Sequence, residues 1–364
     1  MFPVSGRDPR VEAYAKLLVE RCLGVQPGWQ VLIRTTPLAR PAVDALEREI
    51  ARRGGRVVLR LGWTLWPVHP SWAAEAPVDL LPELPEIDRY ACDAMDARIT
   101  MEAPENTRDT SELDPERLAL VKQAERHFFR RTMASEIPWV SCAFPTQALA
   151  QEAGMTLDQF ADVLYGACLI DWDAHGERLR RYCRRFDDAE EVRIVGPGTD
   201  LRLSLAGRHG DVDDGHENMP GGEFFFSPLE DSADGVIEFS EFPSVYQGRE
   251  YQGVRLVFRD GRVVDASARK NEQALLALLD RDDGARRVGE LGIGCNPGIT
   301  RAMKSTLFDE KIDGSIHLAL GQSYTKVGGL NESSIHWDIV KDLRHGGRIE
   351  LDGTAVQENG EWLI

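Results

Sequence analysis

"DDAEEVRIVGPGTDLRLSLAGR", running from Asp187 to Arg208, is where the texture of this 364-residue chain changes. Before it, apolar residues recur at helical spacing. From it onward, short alternating runs and glycine turns take over: "EVRIVG" (191–196), "DLRLSLAG" (200–207), "GEFFFSP" (222–228) and "DGVIEFS" (234–240). In "YQGVRLVFRDGRVVDASA" (251–268), Arg259-Asp260-Gly261 separates two β-rich runs, as the turn of a hairpin does. We therefore place a domain boundary near residue 190. The expectation is an α/β N-terminal domain with parallel strands over 1–190 and a β-rich α+β C-terminal domain over 191–364.

The upstream half supports the first part of that division. "RDPRVEAYAKLLVERCLGVQPG" (7–28) reads as an amphipathic helix ended by Gln-Pro-Gly. "QVLIRT" (30–35), "RPAVDALEREIARRGG" (40–55) and "RVVLRLG" (56–62) follow as strand, helix and strand, a βαβ unit that implies a parallel pair. No G-x-G-x-x-G accompanies it, which argues against a dinucleotide site. "DARITMEA" (96–103) and "IPWVSCAF" (137–144) are further strands, separated by the charged helix "DPERLALVKQAERHFFRRTM" (114–133). One long helical stretch is expected from about Thr156 to Arg185. The proline- and tryptophan-rich residues 63–85, with Trp66, His69 and Trp72, read as a partly ordered connection.

Composition narrows the function. Sixty acidic residues against 43 basic ones give a net charge of -17, which repels phosphate backbones and anionic lipids. Nucleic acid and membrane surfaces are thus excluded as expected partners. The six cysteines are scattered without a C-x-x-C pair and fit reduced thiols in a cytoplasmic protein. The first residues lack the basic and apolar regions of a signal peptide, and no run reaches the length of a membrane span.

The chemistry concentrates near the C-terminus. In "SIHWDIV" (334–340), period-two alternation puts His336 and Asp338 on one strand face and the apolar Ile335, Trp337 and Ile339 on the other. "SIHLALGQ" (315–322) repeats the arrangement, with His317 opposite Ile316, Leu318 and Leu320. An imidazole beside a carboxylate suits zinc, cobalt, manganese or iron. By themselves these residues fit equally a hydrogen-bonded pair on a solvated sheet face. Two acids stand out by context. Glu223 follows Pro-Gly-Gly and abuts Phe224, Phe225 and Phe226, where a carboxylate is costly unless paired or ligated. Glu290 lies between a helix and an apolar, glycine-rich segment, where by itself it reads first as a surface residue at a helix end.

At this point the sequence resembles the aminopeptidase T and aminopeptidase S family of metallopeptidases. The resemblance rests on "ENMPGGEFFFSP" (217–228), "GARRVGELGIGCNPGI" (284–299), "TLFDEKIDGSIHLALGQSY" (306–324) and "GGLNESSIHWDIV" (328–340). The opening "YAKLLVERCLGVQPGWQVLIR" (14–34) is similar too, so the likeness covers nearly the whole chain, with residues 63–85 the part least like the family. It implies that the C-terminal domain carries a site for two divalent metal ions (zinc, cobalt, manganese or magnesium). The implied ligands are Glu223, Glu290, His317, His336 and Asp338. It also implies a role for Tyr324 as donor to the oxyanion, and for Glu290 or Glu223 as proton carrier. The expected activity is hydrolysis of N-terminal residues from short peptides by a homodimer. The alternative is a non-haem iron ring-cleaving dioxygenase on a related fold, which needs two histidines and one carboxylate but not both glutamates. A third reading, a non-catalytic metal-stabilised binding protein, fits the carboxylate-rich set poorly.

Overall fold

The structure is a computed structural model and describes residues 8–63, 69–134 and 136–364. The expectations for the first seven residues and for Trp66 fall outside the described residues. The chain forms two compact units, Met1–Ile170 with Gly215–Pro220, and Asp171–Asp214 with Gly221–Ile364. The sequence boundary near residue 190 sits about one helix later than this division. Alternation reports where strands begin, whereas the helix Trp172–Asp187 belongs with the strands that follow it.

The first unit is built on a parallel five-stranded sheet. Its order is Arg56–Leu61, Gln30–Thr35, Ala97–Glu102, Trp139–Ala143 and Asn218–Met219. The central strands are covered on both sides, so both parities are buried along them: Val31, Leu32 and Ile33 in one strand, and Ala97, Arg98, Ile99, Thr100 and Met101 in the next. The βαβ unit is present: the helix Arg40–Arg52 returns the chain so that Gln30 pairs with Arg56. The opening helix is Pro9–Leu17, capped by Asp8 and continued by a wider π-type turn, Leu18–Cys22. The stretch expected as one helix is two, Leu157–Cys168 and Trp172–Asp187. The break carries its own start signal, since Asp171 accepts a hydrogen bond from the Ala174 amide and caps the second helix.

The second unit is antiparallel. An eight-stranded sheet contains the expected hairpin, in which Val254–Arg259 pairs with Arg262–Ser267. Asp260 and Gly261 at its turn have φ of 49° and 74°, the left-handed conformation that a tight hairpin requires. A five-stranded sheet has the order His336–Asp342, Ser315–Gly321, Val288–Gly294, Glu223–Phe226 and Asp211–Asp213. The two sheets share one core. Leu201, Ile237 and Leu256 from the larger sheet join Phe224, Leu291, Leu318 and Trp337 from the smaller, with Phe186 of the helix Trp172–Asp187 among them. All six cysteines are free and buried. Among the described residues no helix is long and apolar enough to cross a membrane.

Candidate metal centre

The smaller sheet has one core face and one polar face. Leu291 and Ile293, Ile316, Leu318 and Leu320, and Trp337 and Ile339 fill the core. The alternate positions carry Glu290, His317, His336 and Asp338 to the other side. Phe224 and Phe226 point into the core, so Glu223 and Phe225 take the same side as the ligand candidates. Small residues separate them: Gly292 lies opposite His317, and Ala319 lies between Glu290 and Asp338.

Glu290 reaches this face through an irregularity. Val288 pairs with Leu320, but Glu290 pairs with Ala319, so the register shifts by one at Gly289. In a regular strand Val288 and Glu290 would share the core face. The bulge turns the glutamate over while leaving the valine buried.

The side chains converge. His317 Nε2 is 3.4 Å from Glu290 Oε1, and His336 Nε2 is 3.4 Å from Glu290 Oε2. Asp338 Oδ2 is 3.5 Å from His336 Nε2, and Glu223 Oε2 is 3.6 Å from His317 Nδ1. Two groups have ligand atoms within 4.8 Å of one another: Glu290, His317 and Asp338, and Glu223, Glu310 and His317. The Nδ1 of His317 lies 3.0 Å from the Glu310 carbonyl, and that of His336 lies 2.8 Å from the Gln322 carbonyl. A proton on each Nδ1 leaves Nε2 as the atom able to bind an ion. Tyr324 sets its ring 5.1 Å from the His336 ring and 5.5 Å from Phe225.

Burial opposes charge here, and the groups answer differently. It raises the Glu223 and Asp338 carboxyls above the ordinary range. Glu290 is buried too, but His317 and His336 outweigh burial and hold it low. Burial would lower both imidazoles; the facing carboxylates overcome it and raise them, Glu223 and Glu290 acting on His317, and Asp338 and Glu290 on His336. Burial pushes the Tyr324 phenol up as well. Glu223 Oε2 and Asp338 Oδ1 are buried with no hydrogen-bond partner among the described residues. Leaving such oxygens unsatisfied costs about 1–3 kcal/mol each. A divalent cation fits this arrangement, because imidazole nitrogens with several carboxylate oxygens form a donor set for zinc, cobalt or manganese.

Sequence reading missed Glu310 and Lys311. "DEK" after the short helix Thr306–Asp309 looks like a solvated charged turn, yet Lys311 is fully buried and Glu310 joins a ligand group. The one available signal was position, seven residues before His317. His216, the nearest other histidine in sequence to Glu223, is exposed on the segment Gly215–Pro220, which belongs to the first unit. His69 accepts a hydrogen bond from the Ser71 amide and caps the helix Pro70–Glu75.

The profile of the thermophilic metalloprotease family (M29) matches residues 7–362. Aminopeptidase PepS from Streptococcus thermophilus is 26% identical, over 97% of this chain and 98% of that protein. The structure of AmpT from Thermus thermophilus superposes with a TM-score of 0.85 at 24% identity, covering 98% of this chain and 99% of that one. A 2,5-dihydroxypyridine dioxygenase from Pseudomonas putida superposes with a TM-score of 0.65 at 15% identity, covering 99% and 98%. At such identities the two superpositions speak for the fold alone.

Proposed function

Because the chain belongs to the thermophilic metalloprotease family M29, and is therefore a metal-using peptide hydrolase, we propose that it is an aminopeptidase removing N-terminal residues from short peptides at a dinuclear centre. The observation that carries this reading is the Glu290 carboxylate, whose two oxygens each lie 3.4 Å from the Nε2 of a different imidazole, so that one acid would serve both histidines of the proposed ligand set. Glu223, His317, His336 and Asp338 complete the proposed ligand set, and Glu310 adds a carboxylate beside Glu223.

When bound, divalent ions there make a water acidic near neutral pH and polarise a peptide carbonyl. The protein does the rest. Glu290 or Glu223, the two glutamates on this face, takes the proton of that water and passes it to the leaving amine. Tyr324, beside His336 with its phenol kept protonated by burial, donates a hydrogen bond to the oxyanion formed from the substrate carbonyl. The Nδ1 contacts of the two histidines to backbone carbonyls hold their rings in the ligating orientation.

The dioxygenase reading requires two histidines and one carboxylate around a single iron. Glu223, with its unsatisfied Oε2, and Glu310 exceed that need and favour a second ion. We further expect a cytoplasmic homodimer; six buried free thiols support the location, and light scattering tests the dimer. The deciding experiment measures metal content by mass spectrometry alongside leucine p-nitroanilide hydrolysis before and after chelation. Two metals per chain and hydrolysis restored by zinc, cobalt or manganese are expected. A single iron without hydrolysis would transfer the chain to the oxygenase reading.

A further inference from the structure

Lys311 has a fully buried side chain, 0% exposed. Its ammonium lies 3.0 Å from Glu223 Oε1 and 3.9 Å from Asp213 Oδ2, and it pairs with the adjacent Glu310. Taking an ammonium out of water costs several kcal/mol unless carboxylates repay it, and a lysine in a surface turn has solvent as its easy alternative. Here the turn folds it inward, to the one edge of the cluster where three carboxylates meet.

The consequence falls on Glu223. Its two oxygens have different surroundings: Oε1 faces Lys311, while Oε2 has no hydrogen-bond partner and lies 3.6 Å from His317 Nδ1. Asp213 pairs with Glu223 across adjacent strands, so the second anchor of the ammonium is held by the sheet itself. We propose that Lys311 is a positioning residue of the metal centre, holding Glu223 Oε1 so that Oε2 alone is presented to the ion. This rests on the reading of Glu223 as a ligand. The charge arithmetic agrees with it. Asp213, Glu223, Glu290, Glu310 and Asp338 carry five negative charges when ionised, which two divalent ions and one ammonium balance.

The test titrates zinc into the chelator-treated full-length chain by calorimetry, for wild type, Lys311→Met, Lys311→Gln, Glu223→Gln and the double variant Lys311→Met/Asp213→Asn. Glu223→Gln identifies which binding event depends on Glu223. Lys311→Met should weaken that event by about 10- to 100-fold and leave the other unchanged, the usual effect of losing a residue that orients a ligand. Lys311→Gln, which keeps a donor, should bind closer to wild type. The double variant removes the ammonium together with one carboxylate, keeps the charge balance, and carries the test if circular dichroism shows that Lys311→Met does not fold. It too should bind weakly; wild-type affinity there would reduce Lys311 to a counter-charge and overturn the positioning role. Wild-type zinc binding in Lys311→Met would overturn it directly. If Glu223→Gln itself bound both zinc ions normally, the ligand reading beneath the proposal would be the part that failed.

Discussion

Gly292→Ala is the sharpest perturbation of the proposed centre, because it adds one methyl group directly under a proposed ligand. Gly292 lies opposite His317 in adjacent strands. A Cβ at this position would stand 2.0 Å from His317 Cε1 and 2.1 Å from Nε2. Ordinary contact begins near 3.4 Å, so the ring would have to retreat by about 1.4 Å. It has nowhere to go. His317 is 1% exposed, and its Nδ1 is held at 3.0 Å by the Glu310 carbonyl. Overpacking of this kind costs about 1–3 kcal/mol. The displaced atom is the one that faces Glu290, and a catalytic geometry shifted by ~1 Å loses about 100-fold in rate. Urea melts of the metal-free protein, zinc content and kcat for leucine p-nitroanilide measure the three effects separately. Gly166→Ala, in the helix Leu157–Cys168 with nothing near the new methyl group, is the control and should be neutral or slightly stabilising. If Gly292→Ala matched the control in stability, zinc content and turnover, His317 would not occupy the position argued here.

Five further outcomes follow from the structure. Because His317 and His336 are raised to about 10, against about 6.5 when unfolded, their contribution to the stability of the metal-free protein should be complete below pH 6.5 and lost as pH rises through about 10. Zinc needs neutral imidazoles, so its affinity should climb over that window with proton release; calorimetry in two buffers that showed no released protons would contradict this. Chelation should lower the melting temperature, since a ligand at a hundredfold excess over its Kd stabilises by about 2.7 kcal/mol, and a scan unchanged by chelation would speak against a bound ion in the native state. Tyr324→Phe should reduce kcat while zinc content stays at the wild-type level; loss of zinc instead would make Tyr324 structural. Asp282 accepts hydrogen bonds from Ser333 Oγ at 2.7 Å, from the Ser334 amide at 2.8 Å and from Ser334 Oγ at 2.7 Å, tying down the loop that leads into His336. Asp282→Ala should therefore cost about 1–3 kcal/mol in urea melts, and an unaltered midpoint would show the loop to be held by other contacts.

Much of the architecture was readable because its signals are local. The βαβ unit announced itself through helix and strand periods joined by short turns, and the hairpin at Asp260-Gly261 through its turn chemistry. Helix boundaries were harder. The break between Leu157–Cys168 and Trp172–Asp187 falls within the stretch expected as one helix, and it is the cap at Asp171 that marks it in the structure. The division between the compact units at Ile170 was not legible for a related reason. Nothing in the helix Trp172–Asp187 itself states which strands will cover its apolar side.

The candidate site divides along the same line. Period-two alternation placed His317, His336 and Asp338 opposite an apolar stripe, and they occupy those faces, because the alternation is a property of one strand by itself. Glu290 shares parity with the buried Val288 and reaches the polar face only because the pairing slips by one residue at Gly289. A bulge belongs to two strands at once, so one strand's sequence does not contain it. Glu310 and Lys311 did not stand out in the sequence, because the carboxylates that take Lys311 out of water, Asp213 and Glu223, lie about a hundred residues away in the chain. Sequence alone set His317, His336 and Asp338 opposite an apolar stripe; tertiary pairing decided which side chains meet them there, since only there do the carboxylates become close enough to repay the burial of charge.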